Sequence, residues 1–311
     1  MRILITGGNG CLGYNLTKYL LEKGNIICSV DNYETSKAKD IIKNKNLLTI
    51  EGSISNSFFI KDVFKKFNPT HIIHCAASYK DPLDFNKDIE TNINGMINLI
   101  EFSKASKIKK FINFQTSLCY GEPYILPIPI NHYLNPKSSY GISKTAGELF
   151  LINSELNYLS FRLASVLAPR LFVGVIPNLY KRLKAGKECF CTDSIRDFIS
   201  INDFLSLIDI SLADNSPKGI FNVSNGIGVS IKELHDEIAN ILKVKIIKEP
   251  RILDIGADDI REVVLDPSHT KKLLGWETKE NISDSLRNLI NWYENNGLGD
   301  TYSHVIQNKE N

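Results

Sequence analysis

The chain begins Met1-Arg-Ile-Leu-Ile-Thr-Gly7-Gly-Asn-Gly10-Cys-Leu-Gly13, and this stretch decides the fold. An apolar strand over residues 3–6 runs into glycines at the spacing G-x-x-G-x-x-G, and the apolar face of a helix follows. Backbone N–H groups of such a turn, with the positive end of the helix, can approach a pyrophosphate closely because glycine has no Cβ. Glycines also mark ordinary turns. The order strand, turn and helix is what predicts a dinucleotide-binding site here.

A carboxylate closes the second apolar strand. Residues 26–30 are Ile-Ile-Cys-Ser-Val, and Asp31 follows at about the distance expected in a dinucleotide-binding fold. There it can accept both hydroxyls of an adenosine ribose and would repel a 2′-phosphate, which favours NAD over NADP. The alternative is a solvated turn residue. The residues predicted to bind the cofactor are Gly7, Gly10, Cys11, Leu12, Gly13, Asp31, Asn32, Ser53, Ile54, Ala76, Ala77, Tyr140 and Lys144.

Composition bounds the class of protein. The 311 residues are 43% hydrophobic and 23% charged with a net charge of +2, which is typical of a globular protein and gives no reason to expect a nucleic-acid partner. No apolar run approaches the roughly 18 residues of a membrane span, and glycines interrupt the apolar N-terminus at once, unlike a secretory leader. Six cysteines without a C-x-x-C pair predict free thiols rather than a metal site. We therefore expect a cytoplasmic protein with no metal, membrane or nucleic-acid partner.

Strand-like and helix-like segments alternate up to about residue 168. This order predicts an α/β fold, a Rossmann-type doubly wound parallel sheet with helices on both faces. Beyond residue 168 the segments are shorter and the alternation weakens. We expect an NAD-binding domain over residues 1–168, which includes the helix that begins near Ser138, and a smaller α/β substrate lobe over residues 169–311, interleaved with the first. Ligands of such sheets lie beyond the carboxyl ends of the strands, which selects residues 115–121 as site lining.

Tyr140 and Lys144 lie four residues apart, on one face of the helix that begins near Ser138. Next to a dinucleotide they suggest hydride transfer, in which a base removes the hydroxyl proton of the carbon that loses hydride. A free phenol has a pKa of about 10, so a pKa of about 7 requires roughly 4 kcal/mol of preference for the phenolate. A lysine ammonium at roughly 6 Å supplies about 2.8 kcal/mol at an effective dielectric constant of about 20, and an oxidised nicotinamide about as much. When the motif stands alone, a surface helix pair is the alternative.

Several motifs together resemble the extended short-chain dehydrogenase/reductase family of nucleotide-sugar epimerases and dehydratases. They are Gly7-x-x-Gly10-x-x-Gly13, Asp31, His74-Cys-Ala-Ala77, Thr116-Ser-Leu-Cys-Tyr120-Gly121, Tyr140-Gly-Ile-Ser-Lys144 and Arg196-Asp-Phe-Ile-Ser-Ile-Asn-Asp203. Within that family the chain is similar to the epimerase-like proteins of bacterial lipopolysaccharide O-antigen clusters, on residues 76–82, 114–121, 127–130 and 182–186. The resemblance implies a catalytic set of Thr116, Tyr140 and Lys144. It also implies a homodimer formed by helices near residues 86–104 and 138–153.

The same resemblance implies a nucleotide-diphosphate sugar as the substrate, held partly by Arg196. The other residues predicted to bind it are Lys80, Ser117, Ser165 and Arg261. Lys80 is an extra cation that either meets a sugar carboxylate or phosphate or is solvated. Ser165 stands where the family often has asparagine. Arg261 is one of two candidates, with Arg251, for a late substrate arginine.

One departure selects a reaction within the family. The 4,6-dehydratases carry Asp-Glu after the threonine and the decarboxylases keep the Glu, whereas this chain has Ser117 and Leu118. Leucine cannot act as an acid or a base. We therefore predict an NAD-dependent 4-epimerase, acting through a 4-keto intermediate on a UDP-linked hexose, amino sugar or uronate in surface polysaccharide biosynthesis. The alternatives are a sugar-nucleotide dehydrogenase or 4-ketoreductase that uses the same residues, a dehydratase, and a binding protein without turnover.

Overall fold

A seven-stranded sheet is the centre of the computed structural model, which describes residues 1–36, 42–79, 81–246, 248–256 and 258–301. Its strands are β1 (Arg2–Thr6), β2 (Ile26–Asp31), β3 (Leu47–Glu51), β4 (His71–His74), β5 (Lys110–Thr116), β6 (Tyr158–Leu163) and β10 (Gly219–Val223). All the pairings are parallel, in the order β10-β6-β5-β4-β1-β2-β3. The order reverses between β1 and β4, which opens a crevice at the carboxyl ends of those strands. The predicted Rossmann-type sheet is confirmed.

Helices cover both faces of the sheet and continue into the second part of the chain. They are α1 (Cys11–Glu22), α2 (Ser57–Phe67), α3 (Phe85–Asp88), α4 (Gly95–Ala105), α5 (Ser139–Ile152), α6 (Val175–Lys184), α7 (Ile201–Leu212), α8 (Ile231–Leu242), α9 (Ser268–Leu274) and α10 (Ile282–Asn296). On one face α1 and α7 pack in a core that includes Ile5, Leu16 and Phe204. On the other face α2, α4 and α5 share a core that includes Leu4 and Leu99. Because successive strand residues point to opposite faces, β1 contributes to both cores.

The helix expected over residues 86–104 is divided into α3, a π-helical turn (Ile89–Asn94) and α4. Within the π turn the Asn92 amide donates a hydrogen bond to the Ser143 hydroxyl of α5 at 3.0 Å. The Asn92 carbonyl lies so close to Gly147 that a Cβ there would be 2.6 Å from its oxygen. Gly147 therefore lets α5 pack directly on the backbone of the π turn.

The second part of the chain forms smaller sheets that face the carboxyl ends of the large one. Their strands are β7 (Ser165–Leu167), β8 (Phe190–Thr192), β9 (Ile195–Ser200), β11 (Gly228–Ser230), β12 (Arg251–Leu253) and β13 (Glu262–Val263). Strand β9 pairs with β7, β11 and β13, and β12 pairs with β8. A separate core that includes Leu179, Leu234 and Leu289 joins α6, α8 and α10. The chain also returns to the first sheet through α7 and β10, so elements from both sides of residue 168 share one layer.

Candidate active site

A cavity of about 1230 Å³ lies at the carboxyl ends of the central strands, and both parts of the chain line it. Most of the residues predicted to bind ligands are in its wall. They are Gly7, Gly10, Cys11, Leu12, Gly13, Asp31, Asn32, Ser53, Ile54, Ala76, Ala77, Thr116, Ser117, Tyr140, Lys144, Ser165 and Arg196. Residues far apart in sequence thus meet at the edge that the strand-end rule selects.

In the glycine turn the backbone itself forms the cavity wall, because no side chain stands between it and the cavity. Gly7 follows β1 with φ +63°, and a Cβ there would lie 2.7 Å from the Ala76 backbone. A Cβ on Gly13 would lie 2.1 Å from the carbonyl oxygen of Gly7. Since α1 begins at Cys11, directly after the turn, its N-terminal N–H groups open toward the cavity. This cradle has the form that a pyrophosphate requires.

Asp31 is fixed beside this turn by its own backbone contacts. One carboxylate oxygen accepts the Asn9 N–H at 2.8 Å, and the other accepts the Tyr33 N–H at 2.8 Å and the Ser36 hydroxyl at 3.2 Å. The carboxylate therefore holds the loop after β2 against the glycine turn while it lines the cavity. A glycine cradle with a fixed carboxylate at its ribose end fits NAD.

Thr116 stands at the end of β5, where the chain turns into a 3₁₀ helix (Ser117–Tyr120). Its hydroxyl oxygen accepts the Leu118 N–H at 3.2 Å and so caps that helix. Its own N–H donates to the Gln115 side-chain oxygen at 2.7 Å. These two hydrogen bonds hold the Thr116 side chain at the cavity wall.

Tyr140 and Lys144 occupy successive turns of α5. The helix begins after Ser138, whose hydroxyl accepts the Gly141 N–H at 3.1 Å. The Ser143 hydroxyl accepts a hydrogen bond from the Asn92 side-chain amide and donates one to the Tyr140 carbonyl at 3.0 Å. These bonds connect the first turn of α5 to the π turn. Both Tyr140 and Lys144 line the cavity, as the spacing of four predicts.

Burial opposes charge on both members of this pair. It raises the pKa of the Tyr140 phenol above its ordinary value, and the nearby Tyr79 and Asp88 raise it further. Burial lowers the pKa of the Lys144 ammonium to about 8, against the opposing influence of Cys75 and Glu148. Burial therefore keeps Tyr140 a neutral phenol. Its conversion to a base needs the Lys144 charge together with a second positive charge, which an oxidised nicotinamide carries.

At the opposite end of the cavity Arg196 of β9 forms an ion pair with Asp259, at 2.7 Å from nitrogen to oxygen. The side chains are 17% and 12% exposed, and both residues line the cavity. Arg196 is also held by the Ile195 carbonyl at 2.9 Å. The guanidinium is therefore fixed at a place where it can meet a negatively charged ligand.

One described residue that was predicted to bind substrate does not line this wall. Arg261 points its guanidinium at Asp193, both side chains are 59% exposed, and Arg261 is not among the residues that line the cavity. The expectation for Arg261 is thus corrected: an exposed carboxylate holds its side chain instead. Lys80 lies outside the described residues.

Sequence reasoning missed several residues of the substrate end. Phe190 lines the cavity, with the guanidinium carbons of Arg182 and Arg251 at 4.3 and 5.2 Å from its ring centroid. Lys181, Arg182 and Lys187 add positive charge to the same wall. The basic end of α6 was visible in the sequence, but its position beside Phe190 depends on tertiary packing.

The described part of the chain offers no three His, Cys, Asp or Glu side chains grouped so that they could hold a metal ion. All six cysteines are free thiols. None of the described helices combines the length and the apolar character that crossing a membrane requires.

Comparisons with known proteins agree with this geometry. The chain is 45% identical to the Bordetella bronchiseptica enzyme WbmG, whose crystal structure holds NAD and UDP; the TM-score is 0.93 over 98% of this chain and 99% of that one. It is 28% identical to the UDP-glucose 4-epimerase of Thermotoga maritima solved with UDP-glucose, with a TM-score of 0.88 over 95% and 99% of the two chains. The UDP-glucose 4-epimerase of Mycolicibacterium smegmatis is 26% identical over 95% of this chain and 99% of its own.

The family follows from a family model that matches more than half of the chain. Residues 3–224 fit the model of the NAD dependent epimerase/dehydratase family, a span that runs from β1 through β10 and contains the glycine turn, Thr116, Tyr140 and Lys144. The resemblance drawn from the motifs is confirmed, and NAD is the cofactor. This chain belongs to the NAD-dependent epimerase/dehydratase family.

Proposed function

We propose that this enzyme is a 4-epimerase of a UDP-linked hexose, amino sugar or uronate and serves surface polysaccharide biosynthesis. The observation that carries the proposal is Leu118, two residues after Thr116 in the cavity wall. Leu118 is buried among Ile128, Val263 and Leu265. An elimination would need an acid or base at this place, and an apolar side chain packed in a core supplies neither.

The carboxylates of the cavity wall come from other elements. Among the described lining residues they are Asp31, Glu34, Asp254 and Asp259. Asp31 ends β2 and Glu34 follows it, Asp254 follows β12, and Asp259 is already paired with Arg196. Since none belongs to β5, the 3₁₀ helix or α5, proton transfer at the sugar falls to Tyr140.

The arrangement of these side chains supports a closed cycle. Bound NAD supplies the hydride acceptor and, later in the same cycle, the hydride donor. Tyr140 takes the C4 hydroxyl proton, and Thr116 donates a hydrogen bond to the same oxygen as it becomes a carbonyl. The 4-keto sugar then turns over in the cavity. Tyr140 returns the proton to that oxygen after hydride has been added to the other face, so proton and hydride are both restored.

The cationic end of the cavity supports a nucleotide diphosphate as the carrier. Arg196, Lys181, Arg182 and Lys187 can balance the charge of a diphosphate. The Phe190 ring offers a flat surface on which a base can stack. The UDP held by WbmG, which is 45% identical over nearly the whole chain, supports uridine as the base.

For the assembly we propose a homodimer in the cytoplasm. Large apolar side chains are 46–64% exposed around α3 and on α5: Leu83, Phe85, Ile89, Ile142, Leu149 and Phe150. The two helices are neighbours, since Ser139 donates to Asp88 at 2.6 Å. An apolar surface of this kind on adjacent helices fits self-association. The free cysteines fit a reducing compartment.

One assay separates this proposal from its alternatives. The purified protein is incubated with UDP-glucose, UDP-N-acetylglucosamine and UDP-glucuronate in turn, and the products are identified by NMR. We expect the C4 epimer of at least one sugar, no net absorbance at the NADH band, and loss of turnover in Tyr140→Phe. Stoichiometric NADH formation would indicate a dehydrogenase instead, and an unchanged rate in Tyr140→Phe would remove the assigned base.

A further inference from the structure

A buried ion pair lies one helical turn beyond Lys144. Glu148 of α5 and Arg162 of β6 approach to 2.8 Å, and their side chains are 0% and 5% exposed. A second Arg162 nitrogen reaches the same carboxylate oxygen at 3.1 Å, and the other oxygen accepts the Ser160 hydroxyl at 2.6 Å. Such a pair stabilises a fold little compared with apolar packing, because both charges must leave water. Its presence here suggests a role besides stability.

The pair continues into a hydrogen-bonded chain that ends at the Thr116 turn. Arg162 donates to the Tyr120 hydroxyl at 3.0 Å, and its guanidinium carbon is 5.0 Å from the Tyr120 ring centroid. Tyr120 donates in turn to the Asn222 side-chain oxygen at 2.7 Å and is fully buried. Because Tyr120 is the last residue of the 3₁₀ helix that Thr116 caps, its position fixes that helix.

The other end of the chain is the catalytic helix itself. Tyr140, Lys144 and Glu148 follow at intervals of four, so they share one face of α5. One network therefore connects the element that carries Tyr140 and Lys144 with the element that carries Thr116. These two elements otherwise belong to different layers, a helix and a strand end, whose relative position sets the reaction geometry.

We propose that Glu148 is a positioning residue for the reaction: through Arg162 and Tyr120 it fixes α5 relative to Thr116, and its carboxylate shares a face of α5 with Lys144, one helical turn away. The expected changes in kcat and in the pH–rate profile rest on the proposed function. The cofactor-binding readout does not.

The protonation states of the groups around Lys144 determine which of them can stabilise its ammonium form. Burial lowers the pKa of His74 at the end of β4 and raises that of Cys75, so both are neutral near pH 7. Tyr140 is a neutral phenol without ligand. Cys75 and then Glu148 oppose the effect of burial on the pKa of Lys144, and Glu148 is the carboxylate of the two. Removal of the Glu148 carboxylate should lower the pH at which Lys144 loses its ammonium proton.

The test removes both charges together. Glu148→Gln alone leaves the Arg162 guanidinium buried without a carboxylate and can unfold the chain, whereas Glu148→Gln with Arg162→Met leaves no unpaired charge. We expect the double variant to melt cooperatively and to lose about 10–100-fold in kcat with KM nearly unchanged, because α5 is misplaced. The alkaline limb of its pH–rate profile should move to lower pH.

The matched control is Lys110→Met, at the opposite end of β5. Lys110 is a buried cation that bonds the Ala213 carbonyl and the Ser216 hydroxyl, far along the strand from Thr116. We expect it to lower the melting temperature while kcat and the alkaline limb stay as in the wild type. A folded double variant with wild-type kcat and pH profile would overturn the proposal, and so would the same alkaline shift in Lys110→Met.

A cofactor titration distinguishes failure of this proposal from failure of the proposed function. NADH fluorescence is measured from pH 6 to pH 10 without any sugar. NADH affinity should fall as the pH rises and Lys144, which lines the cofactor cavity, loses its proton. We expect this fall to begin at a lower pH in the double variant than in the wild type. If the wild type converts no UDP-sugar, the proposed function fails, yet this shift still supports the role of Glu148. An unchanged titration rejects that role.

Discussion

The Thr116 hydroxyl oxygen accepts the backbone N–H of Leu118 at 3.2 Å. The same hydroxyl therefore has two tasks: its oxygen caps the 3₁₀ helix and its proton is available for a substrate oxygen. Because the cap fixes the side chain, the hydrogen bond to a reacting C4 oxygen needs little rearrangement.

Removal of this hydroxyl should slow the reaction more than it weakens substrate binding. We expect Thr116→Val to lower kcat about 100-fold with little change in KM, since the lost hydrogen bond strengthens as the carbonyl forms. Thr116→Ser keeps the hydroxyl and should retain most of the rate. Steady-state kinetics on the identified UDP-sugar measures both. Equal losses in the two variants would show that the side chain acts through packing.

Lys144 should cost stability in the absence of ligand. Its pKa falls from 10.5 to about 8 in the folded chain, so between pH 8 and 10.5 the unfolded chain binds more protons and stability rises with pH. Below pH 8 the full cost of the buried charge is present. We expect Lys144→Met to stabilise the ligand-free protein near pH 7 by up to about 3 kcal/mol, at roughly 1.4 kcal/mol per pKa unit, and to abolish turnover.

Urea unfolding at pH 7 and at pH 10.5 measures this effect. The advantage of Lys144→Met should shrink at the higher pH, where the folded-state lysine is neutral and no longer carries a buried charge. A control is Lys23→Met, which removes an exposed lysine paired with Asp209 and should change stability by less than about 1 kcal/mol. A constant advantage at both pH values would contradict the buried-charge explanation.

The sequence was sufficient to predict the parts of the site that are local in the chain. Gly7 and Gly13 predict a close backbone packing that a side chain would prevent. The spacing of Tyr140 and Lys144 predicts that they share one face of a helix. Their common cavity followed from the strand-end rule. These predictions rest on geometry within a few residues of each motif, which the fold preserves.

Contacts between distant segments could not be predicted in the same way. Phe190 and Asp259 reach the cavity only through the strand pairings of the second part of the chain. Arg261 was predicted to bind substrate as a candidate for the late substrate arginine of the family, but Asp193, 68 residues away in sequence, holds its guanidinium at the surface. The π turn before α4 could not be predicted either, because the apolar residues of this segment follow the spacing of a regular helix.

Asp31 should determine both cofactor affinity and cofactor choice. It lines the ribose end of the cavity and also anchors the Asn9 and Tyr33 N–H groups. We expect Asp31→Asn to weaken NADH binding and to narrow the preference for NADH over NADPH, because the repulsion of a 2′-phosphate is lost. Fluorescence titration with the two cofactors measures the ratio. An unchanged ratio would assign Asp31 a purely structural role.

The two arginines of the substrate end provide a matched pair. Arg196 lines the cavity and is mostly buried, whereas Arg261 is exposed and bound to Asp193. We expect Arg196→Met to raise KM for the UDP-sugar at least 10-fold, since a charge-assisted contact with the diphosphate contributes roughly 1.5–3 kcal/mol. Arg261→Met should leave KM near the wild-type value. A rise in KM in both variants would support the sequence-based prediction that both arginines bind substrate, and a rise in Arg261→Met alone would contradict the role of Arg196.

The exposed apolar side chains of α5 should decide the oligomeric state. Leu149 and Phe150 are 46% and 48% exposed on a helix that otherwise packs against the sheet. We expect Leu149→Glu with Phe150→Glu to convert a dimer into a monomer in analytical ultracentrifugation, because burying two carboxylates in an apolar interface is costly. Phe58→Glu is the control, since Phe58 is 83% exposed on α2. It should leave the sedimentation coefficient unchanged. A monomeric wild type, or dissociation by Phe58→Glu alone, would move the interface away from α5.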